Sequence, residues 1–237
     1  MPSSGLLAHS SSTTGPSAVS LPVCRTSPSP DSPDADFGSG RNLFKAGGRQ
    51  VVGAGAKSGV YWTLDAATGQ VVWASQAGPG GIFGGIEWGS SVADGRGYVA
   101  EASSAHVPVT LTHPAPGSAT TTSGGFWAAL DAATGNVVWQ TADPAGPTFG
   151  DIGQTTTANG VVYAGSSDAA GHVFAMDART GQITWSFATG GSVASGASIV
   201  NGTVFWGSGY SQFATSGTTG NNRVFAFSLP KHEENDD

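Results

Sequence analysis

Short stretches dominated by β-branched and aromatic residues recur along the chain, and each is cut off by a turn sequence. Val60-Tyr61-Trp62-Thr63-Leu64 and Val173-Phe174-Ala175-Met176 are stretches of this kind, with the length and composition of strands. Each runs directly into Asp-Ala-x-Thr-Gly. There Asp bonds its own downstream backbone, and Gly takes the left-handed position that closes a hairpin. A second stretch follows and ends on Trp, a side chain large enough to pack against a neighbouring sheet. More strands are predicted beside Asp94-Gly95, Asn159-Gly160 and Asn201-Gly202, each of which precedes another apolar run.

These units repeat. Leu64-Asp-Ala-Ala-Thr-Gly-Gln-Val-Val-Trp73, Leu130-Asp-Ala-Ala-Thr-Gly-Asn-Val-Val-Trp139 and Met176-Asp-Ala-Arg-Thr-Gly-Gln-Ile-Thr-Trp185 align without a gap. The tryptophans are 66 and 46 residues apart, and the longer interval holds a polar stretch, roughly 103–124, read as a loop insertion. A degenerate fourth copy, Val224-Phe-Ala-Phe-Ser-Leu229, begins like Val173-Phe-Ala-Met-Asp and then stops. Four short antiparallel strands in a repeat of about 45 residues make a propeller blade. The expected fold is all-β, with about four blades of four antiparallel strands in an incomplete ring. Complete propellers usually close with about 4–8 blades, because closure removes exposed strand edges. An open arc leaves raw edges, through which the chain is expected to self-associate or to meet another chain.

Composition sharpens this picture. The chain has 37 Gly and 13 Pro but only 11% charged residues, which suits many strands and tight turns and argues against helices. Its net charge of −7 and the absence of a basic stripe exclude nucleic acid as a partner. Cys24 is the single cysteine, so neither an internal disulfide nor C-x-x-C-H haem attachment is available. No apolar run reaches the roughly 18 residues of a membrane span, and the first residues lack the pattern of a signal peptide. Residues 1–33, rich in Ser, Thr and Pro, read as a disordered leader; 34–230 as the propeller portion; 231–237 as an acidic tail. The histidines show no metal-ligand spacing.

The Ala-x-Asp-x-x-Thr-Gly-x-x-x-Trp pattern resembles the tryptophan-docking motif of the pyrroloquinoline-quinone (PQQ) dependent, or quinoprotein, alcohol dehydrogenase superfamily, over roughly residues 34–229. Within it, Asp36-Phe-Gly-Ser39, Gly53-Ala-Gly-Ala-Lys57-Ser-Gly59 and Gly84-Gly-Ile-Glu-Trp-Gly89 are closest to polyvinyl-alcohol dehydrogenases. The resemblance implies the C-terminal part of an eight-bladed ring, PQQ and Ca²⁺ as cofactors, and an alcohol or hydroxylated polymer as substrate. It also implies an electron acceptor such as a cytochrome c, and a periplasmic or secreted location. Asp36, with Asp34 second, matches the family's catalytic aspartate, which also touches the metal. Lys57 matches the lysine that reaches the quinone oxygens; Glu87 and Trp88 match the Gly-Gly-x-Asn-Trp loop lining the cofactor, with Glu in place of Asn. The same residues also suit an Asp/Gly turn, a surface lysine and a glycine-rich blade connection. Two functions follow: a fragment of a quinone-dependent alcohol dehydrogenase oxidising secondary alcohols to ketones, or a non-enzymatic blade array that acts as a scaffold.

Overall fold

The computed structural model describes residues 35–213 and 216–229. The leader 1–33, Cys24, Asp34 and the tail 231–237 therefore lie outside the described residues. The chain runs β1 (Asn42–Ala46), β2 (Arg49–Gly55), β3 (Val60–Asp65), β4 (Val71–Gln76), β5 (Ser91–Ala93), β6 (Arg96–Glu101), β7 (Val109–Thr110), β8 (Thr121–Thr122) and β9 (Phe126–Asp131). It continues through β10 (Val137–Ala142), β11 (Thr156–Ala158), β12 (Val161–Gly165), β13 (His172–Asp177), β14 (Ile183–Ala188), β15 (Ser198–Val200), β16 (Thr203–Ser208) and β17 (Arg223–Ser228). These form antiparallel sheets in the orders β1-β2-β3-β4, β5-β6-β9-β10, β11-β12-β13-β14 and β15-β16-β17, here called blades I to IV. The predicted insertion is real: between β6 and β9 it folds back as the small β7–β8 ribbon. The degenerate fourth repeat gives a blade of three strands among the described residues.

The repeated motif works as the alternation predicts. In each turn the aspartate accepts backbone N–H groups two and three residues on, and the threonine hydroxyl as well: Asp131 Oδ1 takes Ala133 N (3.0 Å), Thr134 N (2.8 Å) and Thr134 Oγ1 (2.8 Å). Asp65 and Asp177 repeat the set. The tryptophan then reaches the turn of the next blade. Trp73 Nε1 donates to the Ala132 carbonyl at 3.1 Å, and Trp139 Nε1 to that of Ala178 at 3.0 Å. Both rings press against the turn glycine, where a Cβ on Gly135 or Gly181 would sit 2.6 or 2.5 Å from the indole. Only glycine allows that approach together with its positive φ.

The hydrophobic core consequently sits between sheets. Tyr61, Val99, Phe126, Ala128 and Leu130, with Trp73, fill the space between blades I and II. Tyr98, Trp127, Trp139, Val162, Phe174 and Met176 fill that between II and III, and Val173, Val193 and Trp206 that between III and IV. Burying one such aromatic contributes roughly 1.5–3 kcal/mol. The third tryptophan differs. Trp185 is 39% exposed and packs edge-on to Phe227 at 5.0 Å, because blade IV presents no Asp-Ala-x-Thr-Gly turn to receive it.

Polar links tie neighbouring blades together at equivalent positions, at or just past the end of the second strand of blades II, III and IV. Glu101 Oε1 accepts Gly80 N–H at 3.0 Å, Ser166 donates to Asp143 at 2.5 Å, and the Ser208 and Thr189 hydroxyls meet at 2.7 Å.

Candidate functional site

Three separate blocks converge at the end of blade I. The turn from β2 to β3 carries Lys57, whose backbone N–H donates to the Asp36 carbonyl at 2.9 Å and whose carbonyl accepts Gly81 N–H at 3.1 Å. The entry segment and the glycine-rich loop after β4 are thus stitched to either side of the lysine. Its ammonium lies 3.1 Å from Asp36 Oδ1 and 4.0 Å from Glu87 Oε1. Lys57 and Glu87 are largely buried, with side-chain exposures of 18% and 9%, whereas the Asp36 side chain is 64% exposed.

Glu87 owes its position to glycines. A Cβ on Gly38 would stand 2.2 Å from its Oε2, and one on Gly84 2.4 Å from its Cγ. Ile86 N–H donates to the Ala56 carbonyl at 3.1 Å and Ala102 N–H to that of Gly85 at 2.8 Å, so the loop is fixed to both blades.

Around this charged cluster stands a set of aromatic rings that only the fold assembles. Lys57, Ile82, Phe83, Glu87, Trp88, Phe149, Ile152 and Phe213 line a recess of about 200 Å³. Phe149 stacks on Phe213 at 4.2 Å, Phe83 approaches both at 6.1 and 6.2 Å, and Trp88 meets Tyr210 edge-on at 5.1 Å. These rings come from the connecting loops of blades I, II and IV. Phe149 had a sequence signal: Phe83-Gly84-Gly85-Ile86 and Phe149-Gly150-Asp151-Ile152 are repeats of one another, and Gly84 and Gly150 share φ values of +124° and +122°. Tyr210 and Phe213 had none, since their blade departs from the repeat. A larger recess of about 460 Å³ lies between the insertion and blades II and III. It is lined mainly by Pro, Gly, Ser and Thr, with Asp143 as the one charged side chain among its lining residues.

Behind the recess are buried acids. Burial pushes the Glu101 carboxyl up to about 7, against the lowering effect of the Gly80 N–H. Burial and the facing Asp143 carboxyl raise Asp151 well above the usual carboxylate range; Asp143 is itself raised by burial, against its bond from Ser166. His172 Nδ1 stands 2.7 Å from Asp168 at the edge of this group.

The residues present fit part of a quinone site. Lys57 supplies a cation for a carbonyl edge, and the rings supply flat walls. The recess is nevertheless smaller than the roughly 300 Å³ at which small-molecule sites begin, and one lysine is shared by two carboxylates. Calcium does not fit: among the described residues no group of three His, Cys, Asp or Glu is placed to hold a metal ion, and Asp36 and Glu87 both lean on the lysine instead.

Comparison with known proteins agrees with this architecture. The PQQ_2 family model, described as outer membrane protein assembly factor BamB, matches residues 57–229. A polyvinylalcohol dehydrogenase of Sphingopyxis sp. (strain 113P3) is 31% identical over 209 residues, covering 77% of this chain and 30% of that protein. The quinohemoprotein alcohol dehydrogenase ADHIIG from Pseudomonas putida HK5 superposes with a TM-score of 0.58 at 17% identity, over 83% of this chain and 33% of that one. BamB from Moraxella catarrhalis gives 0.53 at 18% identity, over 81% and 50%. The chain therefore spans between about a third and a half of these relatives, and at such identities the structural matches show the fold alone.

Proposed function

From the premise that this chain belongs to the PQQ_2 family of quinoprotein-type propeller repeats, we propose that it supplies one wall of the site of a PQQ-dependent alcohol dehydrogenase. The observation that carries this reading is that Lys57 and Glu87, from separate loops, line one aromatic recess while Asp36, from a third segment, pairs with the lysine. PQQ, when bound, supplies an electrophilic quinone that accepts hydride. Lys57 offers positive charge where negative charge develops on a reduced carbonyl, and its ion pair with Asp36 keeps it oriented. Asp36, exposed beside the lysine, would take the hydroxyl proton. Trp88 and Phe83 offer exposed apolar walls against which a flat ring can lie. The proposed substrate is a secondary alcohol, including hydroxylated polymers, with electrons leaving to an acceptor such as a cytochrome c in a periplasmic or extracellular setting. Calcium is left to residues outside this chain, and self-association through open blade edges would bring further blades to the site.

The test is a titration of the folded chain with PQQ, followed through quenching of tryptophan fluorescence. Saturable quenching that weakens about tenfold or more in Lys57→Ala is the expected result. A chain with an intact near-UV circular dichroism spectrum and no saturable quenching fails this reading. A second reading, a non-enzymatic blade scaffold, is favoured by one observation: Phe83, Phe149 and Phe213 pack on one another and fill part of the recess with their own rings.

A further inference from the structure

The loop after β10 carries two acids where its counterpart after β4 carries none. Counted from the docking tryptophans, Asp143 stands where blade I has Ala77, and Asp151 where it has Gly85. The fold itself therefore requires neither carboxyl. Both are nevertheless buried, Asp143 at 3% and Asp151 at 0% exposure, and the two face one another. We propose that Asp143 and Asp151 form a proton-sharing pair that latches the Phe149 side of the recess, and that loss of the shared proton releases it. This inference concerns the geometry of the recess and does not depend on what binds there.

The surroundings make a proton the means of neutralising this pair. Asp143 accepts the Ser166 hydroxyl at 2.5 Å and the Ala145 N–H at 2.9 Å. Neither oxygen of Asp151 meets a donor among the described residues, so its partner is the Asp143 carboxyl. The further charge acting on both is a third acid, Asp168, in the loop after β12. Its carboxylate is engaged by the His172 ring at 2.7 Å and the His172 N–H at 2.8 Å. No base is among the groups that act on either member of the pair. Two buried carboxyls so placed resist ionising together; one keeps its proton and donates it to the other, and the titration belongs to the pair.

The pair is joined to the recess through consecutive residues. Phe149 and Ile152, on either side of Gly150-Asp151, line it, and Phe149 stacks on Phe213 at 4.2 Å. Asp151 is held against the start of β9: a Cβ on Gly125 would stand 2.4 Å from its Oδ2. The Gly125 carbonyl in turn accepts the Asp143 N–H at 3.0 Å. On the other side, a Cβ on Gly150 would lie 2.6 Å from the Ala102 carbonyl oxygen. Two anions therefore have no room to part within the junction. Their repulsion is relieved by outward movement of the 149–152 loop, and Phe149 moves with it. The closed form binds the proton more tightly than the open form, so the latch holds at low pH and weakens as pH rises through the upper titration of the pair.

The test is amide hydrogen exchange of the full chain across pH, corrected for the intrinsic pH dependence of exchange, beside NMR titration of the aspartate carboxyl carbons. Protection of residues 149–152 is expected to fall about tenfold per pH unit between the ordinary aspartate range and the raised value of the pair. Amides of β9 keep their protection over that window, and one carboxyl of the pair stays protonated after the turn aspartates have ionised. Asp151→Asn puts a carboxamide donor in place of the shared proton, so it retains the protection and loses most of the slope. Glu101→Gln leaves the slope in place. Asp143→Asn makes the same substitution from the other side, and serves if Asp151→Asn loses the near-UV spectrum. The proposal is overturned if both carboxyls of the pair titrate with the turn aspartates. It is equally overturned if the slope at 149–152 is absent, survives in the asparagine variants or vanishes in Glu101→Gln.

Discussion

Trp73, Trp139 and Trp185 look interchangeable in sequence, yet their surroundings differ. Trp139 is buried and donates to Ala178; Trp185 is partly exposed and leans on Phe227. Trp139→Ala is therefore expected to cost about 3–5 kcal/mol, and Trp185→Ala clearly less, as read from urea midpoints at constant m-value. The aspartates of the turns were legible because each acts within its own turn, on backbone two and three residues away. Their carboxyls are held below the usual range: Asp131 and Asp177 first by the bond from the threonine hydroxyl, Asp65 first by the Thr68 backbone N–H. Lys57 could be singled out because its Gly-Ala-Gly-Ala-Lys-Ser-Gly segment resembles a family stretch, but its ion pair with Asp36 could not, because that pair spans two segments brought together only by folding. Tyr210 and Phe213 were invisible for the same reason.

Between elements, the acids buried at the blade junctions set a pH dependence. Glu101 titrates near 7 when folded, against 4.5 for an ordinary glutamate. The folded state thus holds this proton more tightly than the unfolded state. The resulting stability is fully present below about pH 4.5 and is lost as pH rises through 7, at about 1.4 kcal/mol per pH unit inside that window. Asp143 and Asp151, also raised by burial, act with the same sign. The turn aspartates act oppositely, and only as pH falls through their own lowered values, so they leave the window undisturbed. Urea midpoints are expected to fall from pH 5 to pH 7, and Glu101→Gln is expected to flatten part of that slope. An unchanged slope in this variant would mean that Glu101 carries no shift. The hairpins either side of these junctions were legible from Asn-Gly, Asp-Gly and Thr-Gly turns. The three-stranded form of blade IV was foreshadowed by its degenerate repeat.

At the scale of the whole molecule, the blades form an arc in which β-sheet contacts run within each blade and packing runs between neighbours. Blades II and III are each packed on both faces by Trp-anchored interfaces, whereas the outer face of blade IV carries exposed Val200, Phe205 and Val224. Hydrogen exchange should therefore be slowest in β9, β12 and β13 and fastest in β15 to β17, with unfolding in more than one step. Uniform protection across all blades would show that something covers the outer faces. The blade repeat, with its docking motif and turn chemistry, was determined by the sequence alone, because the interactions that define a hairpin lie within a few residues and recur wherever the motif recurs. The grouping of Asp36, Lys57 and Glu87, the aromatic recess beside them and the partial exposure of Trp185 were decided by the tertiary structure. Each depends on the curvature with which successive sheets stack, and that curvature sets distances between residues that no local pattern can relate.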